Sequence, residues 1–322
     1  MLKKDIGLIL LILVVGAVVA FINPLFLSPI NLANTANLIG LFGLFAIGQA
    51  FVIITGGIEL SVGSVIALLG VLFVDLMVNH DMAWPLALML MIALGMLIGL
   101  VHGLFITKLQ MQPFIITLCG LLIYRGAARY YTKDGTAGFG FGDSIPTLEW
   151  LTTGRFYGVP HSFIALMVVA VVMWVVMHRS VFGRYLYAVG KSEEAARYSG
   201  INTGRVIVAA YVICGLLTAI AAIFFAMYTR SISPSSHGNF YELYAIAAAV
   251  LGGFSLRGGE GSIIGVVLGA VLLQMLQNLV NLLGIPSSLN FAVMGSVILI
   301  GVLADTQFAE YRKRRMSARV HD

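Results

Sequence analysis

The sequence is poor in charge, and this scarcity excludes an ordinary water-soluble fold. Only 10% of its 322 residues are charged, 60% are hydrophobic, and the mean hydropathy is +0.99. A soluble domain of this length carries roughly 25% charged residues. Because so much apolar surface does not fit inside one aqueous core, most of it must face lipid. The composition predicts an all-α polytopic membrane protein.

Cysteine, histidine and carboxylate are too scarce or too scattered for several kinds of site. The two cysteines, Cys119 and Cys214, each lie in an apolar run and are interpreted as small buried hydrophobic residues. The six histidines show no H-x-x-x-H spacing, so no metal site is expected. No Ser/His/Asp set and no pair of carboxylates on one helical face suggests catalysis, and the chain is not expected to be an enzyme.

Apolar runs of about 20 residues, the length that crosses a bilayer, are abundant. About ten transmembrane helices are predicted, at residues 6–22, 38–55, 62–79, 84–107, 113–130, 161–178, 206–228, 241–253, 262–283 and 288–304. The run 241–253 is short for a full crossing, and Pro24 and Pro29 exclude one continuous helix between the first two runs. Residues 1–322 are expected to form a single transmembrane domain.

Positive charge alternates between the predicted connections, which indicates how the chain is oriented. One side carries Lys3, Lys4, Lys108, the segment 178–205 and the basic tail 305–322. The other side has the loops 79–83, 131–160 and 229–240, with Lys133, Arg155 and Arg230 as its firm cations. We therefore expect both termini in the cytoplasm and the long loop 131–160 in the periplasm.

Two apolar stretches share a glycine-rich interruption, which suggests an internal repeat. Residues 53–70 read IITGGIELSVGSVIALLG, and residues 249–269 read AVLGGFSLRGGEGSIIGVVLG. Paired glycine-interrupted segments in the two halves of a transporter are typical of its substrate pathway, since irregular backbone at membrane depth must line a cavity or be satisfied by protein. The alternative is that the glycines only allow close helix packing. The pattern leaves open whether the repeat is parallel or inverted.

The stretch GRYLYAVGKSEEAARYSGI, residues 183–201, is the most charged run between the termini. Its Gly190-Lys191-Ser192 triplet resembles the end of a P-loop, but Tyr185 stands where the first P-loop glycine is required, so nucleotide binding is not expected. Ser192 as N-cap, acidic residues in the first turn and Gly200 at the end predict a helix of about eight residues. It is interpreted either as a solvated loop helix, which the residues alone favour, or as a docking element for a cytoplasmic partner.

Four ordered motifs resemble those of the permease subunits of bacterial ABC importers for simple sugars, the ribose, xylose and galactose type. GGIELSVGSVIAL is similar to that family's GGIDLSVG signature, with Glu59 in place of the usual aspartate. The other three are FIITLCGLLIYRGAARYYT, FGRYLYAVGKSEEAARYSGI and AVLGGFSLRGGEGSIIG. Lys191 and Ser192 stand where the family commonly has Gly-Asn. The resemblance covers nearly the full length of the chain.

The resemblance implies a type II-like permease of ten helices that pairs with a second copy or a paralogue to form one pathway. Cytoplasmic ATPase subunits would bind ATP and Mg, so no cofactor is expected in this chain. A periplasmic binding protein would deliver the monosaccharide. The implied location is the bacterial inner membrane, and nucleic acid is not an expected partner.

The repeat and the resemblance together indicate candidate functional residues. The segment 183–201 would be the coupling loop that contacts the ATPase, through Gly183, Gly190, Glu193, Glu194, Ala195, Arg197 and Gly200. The substrate pathway or its gate would involve Gly56, Gly57, Glu59, Ser61, Gly63, Thr117, Arg125, Gly252, Gly253 and Arg257. Other polar candidates, for which an interhelical hydrogen bond is the plainer role, are Asn34, Asn37, Gln49, Thr55, Asn278 and Asn281.

Two other transport functions stay open at this point. A branched-chain amino-acid permease shares the architecture, but a zwitterionic ligand needs compensating charges, which are scarce here. An ion-coupled secondary transporter needs ionisable groups inside the membrane, and Glu59 and Glu242 are the realistic candidates.

Overall fold

A computed structural model describes residues 2–140 and 144–286, together with the single positions 289, 292, 295, 296 and 299. The described part is almost entirely helical. Its α-helices are α1 Leu2–Ile22, α2 Pro29–Ile53, α3 Val62–Val78, α4 Trp84–Lys108, α5 Pro113–Tyr131, α6 Pro146–Thr153, α7 His161–His178, α8 Val181–Lys191, α9 Glu193–Tyr198, α10 Thr203–Thr229, α11 Tyr241–Leu251 and α12 Ile263–Leu282. A short 3-10 helix spans Pro24–Leu27, and the strands are β1 Ala137–Gly138, β2 Arg155–Phe156, β3 Val159–Pro160 and β4 Ser231–Ile232.

Six helices of the described residues are long and apolar enough to cross a membrane, judged by length and composition: α1, α2, α4, α7, α10 and α12. The apolar helices α3 and α11 are shorter, with 17 and 11 residues. The predicted span 288–304 and the basic tail 305–322 lie outside the continuously described residues. The chain is therefore an all-α polytopic membrane protein, as the composition predicts, with fewer full-length spans in the described part than the ten expected.

The second span begins nine residues earlier than the hydropathy predicts. Pro29 occupies the first position of α2, where the missing N–H costs no hydrogen bond. The Ser28 side chain caps this helix by accepting a hydrogen bond from the Asn31 N–H at 3.3 Å. Pro24 and Pro29 do separate α1 from α2 as predicted, with the 3-10 helix between them. The second proline thus starts a helix instead of lying in a loop.

The helices run between two ends of the bundle. At one end, called here the α9 end, α4 and α7 finish and α10 and α12 begin, as shown by the contact of Gly204 with Thr107 and by the hydrogen bond from the Ile263 N–H to His178. At the other end, called the strand end, β1 pairs antiparallel with β4. The two loops predicted to lie on one side of the membrane therefore meet at one end of the molecule.

Two helices, α3 and α11, begin inside the bundle. Residues 54–61 before α3 and residues 233–240 before α11 are not helical. A Cβ placed on Gly63 would overlap the Gly238 carbonyl oxygen, and one on Gly238 would overlap the Gly63 carbonyl oxygen. The N-terminal ends of α3 and α11 therefore meet. From there α3 runs to the strand end, where the Tyr131 hydroxyl donates to Asp75, and α11 runs about 16 Å towards the α9 end.

The glycines of α4 allow close packing against α10. A Cβ on Gly95 would overlap the Gly215 carbonyl oxygen of α10, and a Cβ on Gly99 would overlap the Tyr211 carbonyl oxygen. One turn further, Gly103 lies against Val208. Small residues at such an interface let two backbones touch, which is how helices associate where lipid removes the hydrophobic driving force.

Large apolar side chains lie exposed on the outer faces of α1, α5 and α7. Leu13, Leu122 and Val171 each have more than 60% of their surface exposed in the single chain. Cys214 is buried on α10 as expected, but Cys119 is exposed on α5, so the prediction of a buried Cys119 is wrong. Its apolar surroundings in the sequence reflect a face suited to contact with lipid or another subunit, because α5 lies at the edge of the described bundle.

Replacing Gly99 by Ala is expected to destabilise the protein by about 1–3 kcal/mol, the usual cost of forcing an extra methyl group into a packed interface. The matched control is Gly126→Ala on α5, because nothing lies within 4 Å of a Cβ at Gly126. Thermal unfolding of the detergent-solubilised variants measures the difference. Equal melting temperatures for the two variants would contradict the close contact of α4 with α10.

Candidate functional site

The non-helical residues Ile54–Ser61, called here the unwound segment, include two residues, Ile58 and Glu59, whose backbone groups pair with side chains of neighbouring helices. The Ile58 carbonyl accepts hydrogen bonds from Thr117 Oγ1 of α5 at 3.2 Å and from the Tyr211 hydroxyl of α10 at 3.3 Å. The Gln49 side-chain amide, oriented to pair with both groups, spans the backbone of Glu59 at 3.1 and 3.2 Å. This support is what irregular backbone requires inside a membrane.

Glu59 is the centre of a buried polar network at the start of α3. One carboxylate oxygen, Oε1, accepts hydrogen bonds from the Ser61 N–H at 2.7 Å and from Ser61 Oγ at 2.6 Å. The other, Oε2, lies 2.7 Å from Nδ1 of His102 on α4. His102 Nε2 in turn lies 2.9 Å from the Tyr124 hydroxyl of α5. With the imidazole proton on Nδ1, every contact in this chain has one donor and one acceptor.

The network ties the unwound segment to its surroundings electrostatically as well as by hydrogen bonds. Glu59 and His102 are 5% and 2% exposed. A carboxylate near the N-terminal end of a helix is favoured by the helix dipole, and Glu59 lies two residues before Ser61, the N-cap of α3. A buried carboxylate that lost its hydrogen-bond partners would be strongly unfavourable. Glu59, Ser61 and His102 therefore hold one another in place.

A second polar contact pins the point where α3 and α11 meet. Arg125 Nη1 of α5 donates to the Pro234 carbonyl at 2.8 Å and to the His237 carbonyl at 2.5 Å. Glu242 is buried in the first turn of α11, and its Oε2 would lie 2.8 Å from a Cβ on Gly63. The residues before α11 are thus held by a cation, whereas those before α3 are held through an anion.

The charged segment 183–201 contains two helices where one was predicted. The helix α9 has six residues instead of about eight, and Ser192 caps it by accepting a hydrogen bond from the Ala195 N–H at 3.2 Å. The preceding helix, α8, is amphipathic and buries Gly183, Leu186 and Val189. The helix α8 was not predicted from the sequence. Its apolar residues do recur at helical spacing, but charged and aromatic residues lie between them and obscure the pattern.

The predicted coupling residues lie on and beside α9. Glu193 accepts hydrogen bonds from Arg197 and from Thr203 Oγ1, both at 3.0 Å, which ties α9 to the start of α10. Glu194 and Ala195 are exposed, and Gly200 has the positive φ, +83°, of a helix-terminating residue. Gly183 packs against the Met177 carbonyl, and Gly190 against the unwound segment.

The structure distributes the predicted pathway residues among four places. Around the unwound segment lie Gly57, Glu59, Ser61 and Thr117; where α3 meets α11 lie Gly63 and Arg125; at the α9 end lie Gly56 and Arg257; and between α11 and α12 lie Gly252 and Gly253. Gly252 packs against the Gly265 backbone of α12. Arg257 is exposed at the α9 end and lies away from the Glu59 network.

Several polar candidates serve as hydrogen bonds between helices. Asn31 and Asn278 pair through both side-chain amides at 2.8 and 3.0 Å, and Asn37 accepts a hydrogen bond from Ser162 Oγ at 2.5 Å. Sequence reasoning missed His102 and Tyr124. The one signal for His102 was an ionisable side chain within an apolar span, since such groups are rare unless they are paired.

Helices interrupted inside an apolar bundle, with their broken ends meeting near buried charges, are typical of membrane transport proteins. A protein-family model described as "Branched-chain amino acid transport system / permease component" matches residues 31–302. The chain belongs to this family of permease components of ABC import systems, which confirms the resemblance of its motifs.

Three curated relatives are similar over nearly the whole chain. The ribose import permease protein of Escherichia coli (strain K12) is 39% identical over 299 residues, 92% of each chain. The ribose import permease protein of Bacillus subtilis (strain 168) is 41% identical over 300 residues, 93% of this chain and 91% of the relative. The galactose/methyl galactoside import permease protein of Escherichia coli (strain K12) is 33% identical over 318 residues, 94% of each. No solved structure gives a significant match.

Replacing His102 by Phe is expected to destabilise the protein by about 3–5 kcal/mol, because it leaves the Glu59 carboxylate buried without its imidazole partner. Tyr124→Phe removes one neutral hydrogen bond and is expected to cost only about 1 kcal/mol. Unfolding of the solubilised variants by heat or denaturant gives both values.

The combined variant Glu59→Gln/His102→Phe should recover a large part of the loss, because the unpaired charge is then gone. If the double variant were as unstable as the sum of the two single ones, the two side chains would not be coupled.

Proposed function

We propose that this chain is the transmembrane permease subunit of an ATP-driven importer that carries a monosaccharide into a bacterial cell. The observation that carries this proposal is the similarity to sugar import permeases across more than nine-tenths of the chain. The interrupted helices α3 and α11 add a structural reason, since they place irregular, polar backbone at the centre of the bundle. Transport needs no covalent step in this chain, and we assign it no catalytic or metal-binding residue.

The α9 end faces the cytoplasm in this proposal, and the strand end faces the periplasm. Cytoplasmic ATPase subunits contact α9 and hydrolyse MgATP, and a periplasmic sugar-binding protein docks at the strand end. Both termini lie in the cytoplasm of a chain of about ten spans, counting α3, α5, α11 and the predicted 288–304. A second copy or a paralogue completes the pathway, and the exposed apolar faces of α5 and α7 provide surface for it or for lipid.

The mechanism follows from the two interrupted helices. Closure of the ATPase dimer moves α9, and the bundle changes between a state open to the periplasm and one open to the cytoplasm. A change of this kind requires elements with two arrangements. The unwound segment and the residues before α11 suit this role, because side chains and not a continuous helical ladder hold them. The side chains that hold these two segments in one arrangement are those of Glu59, Ser61, Thr117 and Arg125.

Two charged groups of the described centre are already engaged within the protein, which favours a neutral sugar over a zwitterion. Glu59 already accepts hydrogen bonds from Ser61 and His102, and the Arg125 guanidinium is engaged by two backbone carbonyls. Groups that are satisfied within the protein have little left to offer a charged ligand. The family model is described by amino-acid transport, but the relatives at 33–41% identity are named for sugars.

Uptake by proteoliposomes tests the proposed function. The permease, reconstituted with its ATPase and binding protein, is expected to accumulate a labelled pentose or hexose only when MgATP is enclosed on the α9 side. A branched-chain amino acid should not be accumulated. Uptake driven by a proton or sodium gradient without the ATPase would overturn the proposal in favour of a secondary transporter.

Reversing two charges on α9, Glu193→Lys with Glu194→Lys, is expected to abolish ATP-driven uptake, because the contact with the ATPase is lost. The matched control for ATPase binding is Asp81→Lys, an exposed carboxylate at the strand end, far from α9. Co-purification of the ATPase with each variant is measured beside uptake. Normal co-purification and normal uptake in the α9 variant would show that α9 is not the coupling helix.

A further inference from the structure

Three chain segments meet at the α9 end in direct backbone contact. They are the start of the unwound segment at Ile54–Gly56, the end of α8 at Gly190, and the loop 257–261 before α12. A Cβ on Gly190 would overlap both the Ile54 carbonyl oxygen and the Gly259 nitrogen. A Cβ on Gly258 would lie 2.8 Å from the Gly190 oxygen and 2.8 Å from the Gly56 nitrogen. We call this contact the glycine junction.

Hydrogen bonds hold the glycine junction together. The Gly259 N–H donates to the Ile54 carbonyl at 2.8 Å, which joins the two predicted glycine-rich segments directly. On the α8 side, the Tyr187 hydroxyl donates to the Gly261 carbonyl at 2.8 Å. A tyrosine hydroxyl is protonated at physiological pH, and burial raises the pKa of Tyr187 further, to about 12. Each of the three segments is therefore bonded to at least one of the others.

An ion pair closes the junction on its solvent side. Lys191 Nζ lies 2.5 Å from Glu260 Oε1, and both side chains are exposed. Lys191 is the last residue of α8 and is followed directly by Ser192, the cap of α9, so a movement of α9 reaches Lys191 first. Its partner, Glu260, belongs to this chain.

We propose that the glycine junction transmits the movement of α9 to the unwound segment, with Gly190 as a positioning residue and Lys191–Glu260 as its tether. The inference rests on the proposed function of the chain as an ATP-driven permease. Gly190 has no side chain, so the backbone of α8 touches the backbone of Ile54 directly. A movement of α8 must therefore either displace the unwound segment or break this contact. Packed backbones have discrete arrangements, which is what coupling between sites needs.

A different route from α9 into the bundle has to be separated by experiment. Glu193 bonds Thr203 at the start of α10, so movement of α9 could instead reach the bundle through that helix. The glycine junction leads to the Glu59 network within five residues of chain, whereas α10 is packed tightly against α4 over several turns. We therefore test the junction with variants that leave Glu193 and Thr203 unchanged.

The first experiment compares Gly190→Ala with Gly204→Ala in the complete transporter. Both glycines lie in helices, but a Cβ on Gly204 would lie no closer than 3.6 Å to another residue. Gly190→Ala is expected to lower the sugar transported per ATP hydrolysed by about fivefold or more, within the usual range of coupling between sites. Gly204→Ala should match the parent protein. Equal transport per ATP in both variants would overturn the proposal.

The second experiment uses the tether and does not depend on how Gly190→Ala folds. Lys191→Glu and Glu260→Lys each place like charges at the junction and should each lower transport per ATP. The exchange Lys191→Glu/Glu260→Lys restores opposite charges and should recover most of the loss. If the double variant shows the sum of the two single defects, the pair is not a tether and the proposal fails.

ATPase co-purification and binding-protein-stimulated hydrolysis are recorded for every variant. Variants that keep both, yet transport less, show a defect between the ATPase and the pathway, as the inference requires. If the parent protein itself shows no ATP-driven uptake, the proposed function fails, and this outcome is distinct from a failure of the junction.

Discussion

The need to satisfy backbone polar groups away from water governs the centre of this protein. An uninterrupted helix meets that need by itself, but the unwound segment Ile54–Ser61 cannot. The Ile58 carbonyl and both backbone groups of Glu59 are instead paired with Thr117, Tyr211 and Gln49, which come from three different helices. The positions of α2, α5 and α10 around α3 are therefore not free of one another. A displacement of the segment changes its hydrogen bonds to all three helices at once.

Charge adds a second condition to the same place. Glu59 is stabilised by Ser61, by the start of α3 and by His102, and His102 is in turn oriented by Tyr124. The broken end of α11 carries the opposite arrangement, with the cation Arg125 holding carbonyls. A chain with 10% charged residues thus places several of them where lipid-exposed helices would have none. The small number of charged residues and the burial of several of them have one explanation: a charged side chain inside a membrane requires a partner.

Local features of the sequence were predictable where local physics decides them. The helical membrane class follows from composition, the break before α3 from Gly56 and Gly57, and the cap of α9 from Ser192. The start of α2 was misjudged because a proline can either end a helix or occupy its first turn. Only the cap by Ser28 shows that Pro29 begins one. His102 and Glu59 are 43 residues apart, so no spacing rule could pair them. The two glycine-rich segments were predicted as separate interruptions, whereas the fold lays them against each other at Gly259 and Ile54.

The close packing of α4 on α10 has a consequence for how the bundle divides. Gly95 and Gly99 of α4 lie directly against the backbone of α10, so the two helices behave as one rigid unit. Sliding or rotating one against the other would open voids or create overlaps along several turns. The contacts that change during a transport cycle must therefore lie between other helices. The same argument holds for α11, which Gly265 and Gly269 fix against α12, so the α4–α10 pair and the α11–α12 pair each act as one rigid unit.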